Sequence, residues 1–232
     1  MRRVLLLVTG LCLGGLLLTV FCAEVSNTPV LGTGAEMTSE EPTQSVWTLP
    51  CKIPGTCLMA QTLAVYDGPF YEDGSGDEVI GVTALVLHND GDAFLRWGEV
   101  ALEAGEVTLR FAFTSLPPDA TILVPERGRQ EESPSAFVGC CGAVEEARDE
   151  FAEDIRLGEK DAITLTVTNL GQERREAIQI YYKTYDSQSR MYVGGNTYMV
   201  TVQELEPGET VEISPYHYVK NYTKVVAVTD GK

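Results

Sequence analysis

Residues 163–186 read ITLTVTNLGQERREAIQIYYKTYD, and their alternation of apolar and polar side chains indicates two β-strands joined by a turn. Side chains of an extended chain point alternately to opposite faces, so each strand has one apolar face. These apolar rows are Ile163, Leu165 and Val167, then Ile178, Ile180 and Tyr182. Asn169 and Gly171 lie between the two rows, and both residue types favour turns. The stretch therefore predicts strands that are buried on one face.

The first half of the chain shows related patterns. Residues 107–113 alternate in the same way, which predicts another strand with one buried face. Residues 79–87 form a more continuous apolar run, as in a strand that is covered on both faces. Short strands separated by turn residues favour a sandwich or barrel.

The two halves also match each other in order. Residues 86–91 correspond to 167–171, and the turn at 116–119 corresponds to the turn at 205–209. Leu116 follows Asn89 by 27 residues, whereas Leu205 follows Asn169 by 36, so the second half contains extra residues. We expect a longer hairpin tip at residues 187–196 to hold them.

Residues 163–213 resemble bacterial FxLYD-type and related Ig-like modules. The resemblance lies in the strand that ends at an Asn turn, in Tyr185–Asp186 at the end of the next strand, and in the late turn at Leu205–Glu209. It implies an extracellular Ig-like module of binding or unknown function. In the first half the resemblance is faint, because no Tyr-Asp follows the second strand.

The predicted fold class is all-β: two tandem Ig-like β-sandwich modules with one short connector helix, after an N-terminal membrane segment. The helix is predicted from the helical spacing of Val144, Ala147, Phe151 and Ile155. The predicted divisions are a signal peptide or signal anchor at 1–23, a Pro/Ser/Thr-rich stalk at 24–60, a first module at 61–127, a linker with the helix at 128–159 and a second module at 160–232.

The N-terminus is typical of an exported protein. Arg2 and Arg3 precede an apolar run at residues 4–21, and the first acidic residue is Glu24. The length of the run suits an uncleaved anchor, a cleaved signal peptide is nearly as well supported, and lipidation at Cys22 is a third alternative. We therefore expect a single-pass membrane protein with a cytoplasmic N-terminus, or a secreted protein. The net charge of −17 disfavours nucleic-acid binding, which needs a basic surface.

Four cysteines follow the membrane segment: Cys51, Cys57, Cys140 and Cys141. Their spacing fits no zinc template, which favours disulfides. Since adjacent cysteines pair with each other only under strain, we expect Cys51 and Cys57 to pair with Cys140 and Cys141. The alternative is a local Cys51–Cys57 bond, with free thiols at the start of the connector helix.

The acidic stretch at residues 67–78 is a candidate for weak calcium binding, and the sequence indicates no other cofactor. The candidate ligands are Asp67, Asp73, Ser75 and Asp77. The match to an EF-hand loop is partial, because counting from Asp73 places Glu78 and Ala84 where glycine and a bidentate acid belong. A solvated hairpin tip explains the same residues.

Eight of the ten tyrosines lie in the predicted second module, which suggests a contact surface for a cell-surface glycan or protein. The predicted surface consists of Tyr185, Tyr192, Tyr198, Tyr216, His217, Tyr218 and Tyr222. Packing within strands is the competing explanation for the tyrosines, and a satisfied loop residue is the competing explanation for His217. The sequence thus favours a binding or scaffolding protein without catalytic activity. The alternative is an extracellular hydrolase or thiol-redox protein that uses residues 67–78 or the Cys140–Cys141 pair.

Overall fold

A computed structural model describes residues 46–147 and 152–230, and the described chain is all-β. The strands of the first half are β1 (Cys51–Lys52), β2 (Leu58–Phe70), β3 (Asp77–Asn89), β4 (Phe94–Ala104), β5 (Val107–Leu116), β6 (Thr121–Pro125) and β7 (Gly139–Ala147). Those of the second half are β8 (Ile155–Glu159), β9 (Leu165–Asn169), β10 (Arg175–Asp186), β11 (Met191–Val193), β12 (Tyr198–Leu205), β13 (Thr210–Ile213) and β14 (Thr223–Asp230).

Two sheets enclose the core of the first half. The order β1-β2-β3-β6 forms one sheet and β5-β4-β7 forms the other, with every pair antiparallel. Leu85 and Leu87 of β3 pack in one buried cluster with Leu102 of β4 and Phe111 of β5. The run predicted at 79–87 is buried on both faces from Val82 to Leu87, which confirms the prediction for that part, whereas Ile80 is exposed.

The second half is arranged in a corresponding way and has its own core. The sheet β13-β9-β8 contributes Ile155 and Val167, and the strands β12-β10-β14 contribute Ile178, Ile180 and Val228 to the same cluster. The predicted inward rows are thus largely confirmed, since Leu165, Val167, Ile178, Ile180 and Tyr182 are buried, whereas Ile163 is exposed.

A parallel strand pair joins the halves. Tyr192 and Val193 of β11 lie opposite Ile122 and Leu123 of β6, while β11 also pairs with β10. The order β1-β2-β3-β6-β11-β10-β12 is therefore one continuous sheet. The extra residues predicted at 187–196 do form a longer hairpin, and its returning strand completes the sheet of the first half.

Two buried asparagines hold equivalent turns. Asn89 Nδ2 donates to the carbonyls of Ala93 (2.9 Å) and Pro117 (3.0 Å), and its Oδ1 accepts from Gly91 N (3.1 Å). Asn169 Nδ2 donates to the carbonyls of Glu173 (2.8 Å) and Leu205 (3.0 Å), and its Oδ1 accepts from Gly171 N (2.9 Å). Each side chain thus ties the end of one strand to the start of the next and to a distant turn.

Two boundaries predicted from sequence are wrong. The connector helix is not formed at three of the four residues that predicted it, because Val144 and Ala147 lie in β7 and Ile155 lies in β8. The fourth, Phe151, lies outside the described residues. Alternation at residues 139–147 was obscured because β7 buries little of its surface. The C-terminal part of the expected stalk belongs to the fold, since Ile53 and Leu58 are fully buried. The predicted membrane segment and the predicted stalk residues 24–45 lie outside the described residues.

Candidate functional site

A cleft of about 220 Å³ opens where the two halves meet. Its lining includes Tyr66 and Asp67 of β2, Tyr71 and Glu72 of the following loop, and Asn196 and Tyr198 from the second half. Tyrosine rings and two carboxylates therefore face one small space.

Hydrogen bonds across the junction fix the walls of the cleft. Glu72 Oε1 accepts from Gly195 N at 2.7 Å, and Glu72 Oε2 accepts from Tyr71 N at 3.1 Å. Asn196 Nδ2 donates to the Tyr71 carbonyl at 2.6 Å. A side chain at Gly195 would place its Cβ 2.1 Å from the Ala112 carbonyl oxygen, so only glycine permits this approach of the two backbones. These contacts thus hold the two walls of the cleft at a fixed position relative to each other.

Lys183 lies beneath the same junction and is completely buried. Its Nζ donates to the carbonyls of Thr114 (3.0 Å), Gly195 (3.0 Å) and Asn196 (2.8 Å). Burial lowers the pKa of Lys183 to about 7, and the nearby Glu72 carboxylate acts in the opposite direction. The side chain links β5 of the first half to the β11–β12 connection of the second.

A ladder of aromatic rings leads from the second core to the cleft and the surface. Tyr182 contacts Tyr218 on one side (ring centroids 6.0 Å apart) and Tyr198 on the other (5.6 Å). Tyr198 stacks on His217 at 4.6 Å, and His217 contacts Tyr216, which is 82% exposed. His217 adopts a positive φ of 67°, an uncommon conformation for a non-glycine residue.

Tyr71 ties the ladder to the first half, since its ring lies 6.2 Å from Tyr198 and 5.9 Å from His217. Burial raises the pKa of both Tyr66 and Tyr198 to about 12. Their phenols are therefore neutral at physiological pH, and the Tyr66 hydroxyl donates to the Pro69 carbonyl at 2.7 Å. The cleft thus presents tyrosine rings beside the carboxyl groups of Asp67 and Glu72.

The residues of the predicted tyrosine surface differ in their exposure. Tyr192 (9% exposed) and Tyr218 (3%) are buried, so the prediction that they offer contact surface is wrong. The reason is that β11 turns back onto the first core, where Tyr192 packs. Tyr216 and Tyr222 are exposed as predicted. The Tyr185 ring contacts Tyr192, with Lys224 Nζ 3.5 Å above it.

Of the predicted contact residues, Tyr198, Tyr216 and His217 belong to the aromatic ladder beside the cleft. The sequence analysis did not predict that Tyr66 and Tyr71 lie beside them. A useful signal was available, because Tyr66 immediately precedes the acidic stretch at residues 67–78 and Tyr71 lies within it.

An arginine binds three of the four candidate calcium ligands. Arg129 Nη2 lies 2.5 Å from Asp73 Oδ2, 2.9 Å from Ser75 Oγ and 3.2 Å from Asp77 Oδ2. Hydrogen bonds from the backbone and side chain of Ser75, followed by the contact with Arg129, lower the pKa of Asp73. Asp67 is engaged elsewhere and accepts from Gly81 N at 2.7 Å. Within residues 46–147 and 152–230, no group of three or more His, Cys, Asp or Glu side chains is arranged to hold a metal ion.

The cysteines fall into different surroundings. The thiols of Cys51 and Cys140 are hydrogen-bonded to each other, and burial raises the pKa of both, that of Cys140 to about 12. Cys57 lies apart, against Gly91 and close to Asp90 and Glu146. Cys141 follows Cys140 in β7 and is exposed. No disulfide joins the described cysteines, but the fold brings Cys51 and Cys140 together and separates Cys57 from them.

The chain matches no known family model. No curated protein is significantly similar to it. In the described part of the chain, no helix has the length and apolar character needed to cross a membrane.

Proposed function

We propose that this chain is an exported protein, displayed at the cell surface, whose two tandem Ig-like modules bind a ligand in the tyrosine cleft at their junction. Binding or scaffolding, without catalysis, is the proposed activity. The ligand is a cell-surface glycan or protein. Display would be through residues 4–21 as an anchor, or by secretion where that segment is cleaved.

The modular part of the proposal is supported by the matched order of strands. The order β2-β3-β6 in the first half corresponds to β8-β9-β13 in the second, and β5-β4-β7 corresponds to β12-β10-β14. The asparagines at the ends of β3 and β9 make equivalent hydrogen bonds. Duplication of one Ig-like unit explains both correspondences, and it agrees with the FxLYD-type resemblance of residues 163–213.

The observation that carries the binding proposal is the cleft itself. It is built from both halves, is held by hydrogen bonds that cross the junction, and has an apolar aromatic lining with a few polar groups. Such concave sites between structural units are the usual position of ligand sites. Recognition rather than chemistry is favoured because both Glu72 oxygens accept backbone N–H groups and the phenols of Tyr66 and Tyr198 stay protonated.

The acidic loop and the paired cysteines offer less support to the hydrolase and thiol-redox alternatives. Arg129 binds the carboxylates of Asp73 and Asp77. A redox-active cysteine needs a lowered pKa, whereas burial raises that of Cys140 to about 12.

The test is binding of the purified, labelled protein to cell envelopes isolated from the producing organism. Tyr71→Ala should reduce the bound fraction severalfold, because it removes a ring that lines the cleft. Tyr222→Ala is the matched control, since that tyrosine is exposed and is not among the cleft-lining residues. Protease treatment of the envelopes distinguishes a protein ligand from a glycan. Equal binding by both variants and the unmodified protein would exclude the cleft as the binding site.

A further inference from the structure

We propose that the cleft binds an alkylammonium group, such as a lysine side chain or a free aliphatic amine. This inference rests on the proposed function, and it specifies the chemistry of the ligand.

The charged residues that line the cleft are both acidic. They are Asp67 and Glu72, and no lysine, arginine or histidine is among the lining residues. Glu78 adds negative charge nearby, because it and Glu72 both help to raise the pKa of Tyr66. Among the described contacts, Asp67 uses only Oδ1, which accepts from Gly81 N. Its second oxygen is therefore available to accept from an ammonium group.

The walls suit a cation with an apolar stem. Tyr66, Tyr71 and Tyr198 supply rings, and Pro69 and Val193 supply aliphatic surface. A cation over an aromatic face is stabilised by the ring quadrupole, and the effect strengthens where water is excluded. Neutral glycans would use the rings but leave Asp67 without a cationic partner among the lining residues.

The same protein already places its own cations on aromatic rings in two other positions. Lys224 Nζ lies 3.5 Å from the centroid of the Tyr185 ring, and the Arg129 guanidinium lies 4.9 Å from that of Phe70. Arg129 also combines this contact with carboxylates on Asp73 and Asp77. The cleft also combines aromatic rings with carboxylates, but none of its lining residues is a cation.

The volume favours one short group over a large molecule. Sites for drug-sized ligands are about 300–1,000 Å³, whereas this cleft is about 220 Å³. An aliphatic chain of a few carbons with its terminal ammonium matches that size.

The test is an NMR titration of the full-length protein, followed at the backbone amides of Gly194 and Asn196. The probes are n-butylammonium, the neutral n-pentanol and the anionic butyrate, all at constant ionic strength. We expect shifts at these amides with n-butylammonium and none with the other two. Two further probes, a lysine-containing pentapeptide of otherwise glycine residues and its Nε-acetylated form, distinguish a peptide side chain from a free amine. Stronger binding of the unmodified peptide than of n-butylammonium identifies a polypeptide as the source.

Asp67→Asn should weaken n-butylammonium binding about threefold, and Tyr71→Ala about fivefold. Asp92→Asn is the control for Asp67→Asn, because it removes the same charge from an exposed position outside the cleft. If n-pentanol binds as well as n-butylammonium, or if Asp67→Asn and Asp92→Asn behave alike, the alkylammonium proposal is wrong. Envelope binding that still depends on Tyr71 would then leave the binding function standing with a different ligand.

Discussion

Replacing Asn89 or Asn169 by alanine should destabilise the protein by about the same amount, because the two amides have equivalent partners. Each side chain is fully buried and makes three hydrogen bonds of 3.1 Å or less, two as donor to carbonyls and one as acceptor from a glycine N–H. At about 1 kcal/mol for each bond lost, either substitution should lower the free energy of unfolding by about 3 kcal/mol.

For a folded unit of this size, that loss corresponds to a decrease in Tm of about 6–12 °C. Urea unfolding followed by far-ultraviolet circular dichroism gives the free energy, and a thermal melt gives Tm. Asn196→Ala is the control, since that exposed side chain donates one hydrogen bond, to the Tyr71 carbonyl, and its loss should lower the free energy of unfolding by about 1 kcal/mol. Suppose that Asn89→Ala lowers the free energy of unfolding by about 3 kcal/mol, but Asn169→Ala lowers it by less than Asn196→Ala does. The two turns are then not equivalent, and the duplication argument fails.

Three further predictions concern charge and thiols. The folded protein lowers the pKa of Lys183 from 10.5 to about 7, so the unfolded chain binds more protons between pH 7 and pH 10.5. The free energy of unfolding should therefore rise with pH in this range, by up to about 1.4 kcal/mol per pH unit. Lys183→Met should abolish this pH dependence, and an unchanged dependence would contradict its assignment to Lys183. Non-reducing peptide mapping of exported protein should find Cys51 linked to Cys140, and a Cys57–Cys140 link would contradict the fold. Added calcium should leave the Tm of the unmodified protein unchanged but raise the Tm of Arg129→Ala, because this substitution frees the carboxylates that bind the guanidinium. If the Tm of the variant does not rise, these carboxylate oxygens are unsuited to calcium.

The strands were largely predictable from sequence because the signal is local. Alternation at Leu165 and Val167 and the continuous run at 79–87 report burial directly through side-chain hydrophobicity. The turn residues Asn89 and Asn169 were found for the same reason, since the amide and the following glycine are close in sequence.

The failures have a common cause, which is pairing between residues distant in sequence. Val144 and Ile155 fit a helical spacing by coincidence, and only their partners in β4 and β9 make them strand residues. Tyr192 is buried because β11 pairs with β6, and no property of the hairpin itself reveals that neighbour.

The cleft was missed for this reason as well. Its tyrosines come from segments separated by more than a hundred residues, and the hydrogen bonds of Glu72 and Asn196 that unite them span the same separation. The sequence identified Tyr198 and His217 as candidates, but it did not predict that Tyr66, Tyr71 and Glu72 lie opposite them.

The parallel pairing of β6 with β11 has a consequence for the order in which the chain matures. A ribosome delivers residues 121–125 well before residues 191–193, so the nascent first half presents β6 as an open sheet edge until β11 arrives. Unpaired edges recruit other strands and promote aggregation. The chain is therefore most vulnerable midway through synthesis or translocation, and a holding chaperone would be needed during that interval and not after it.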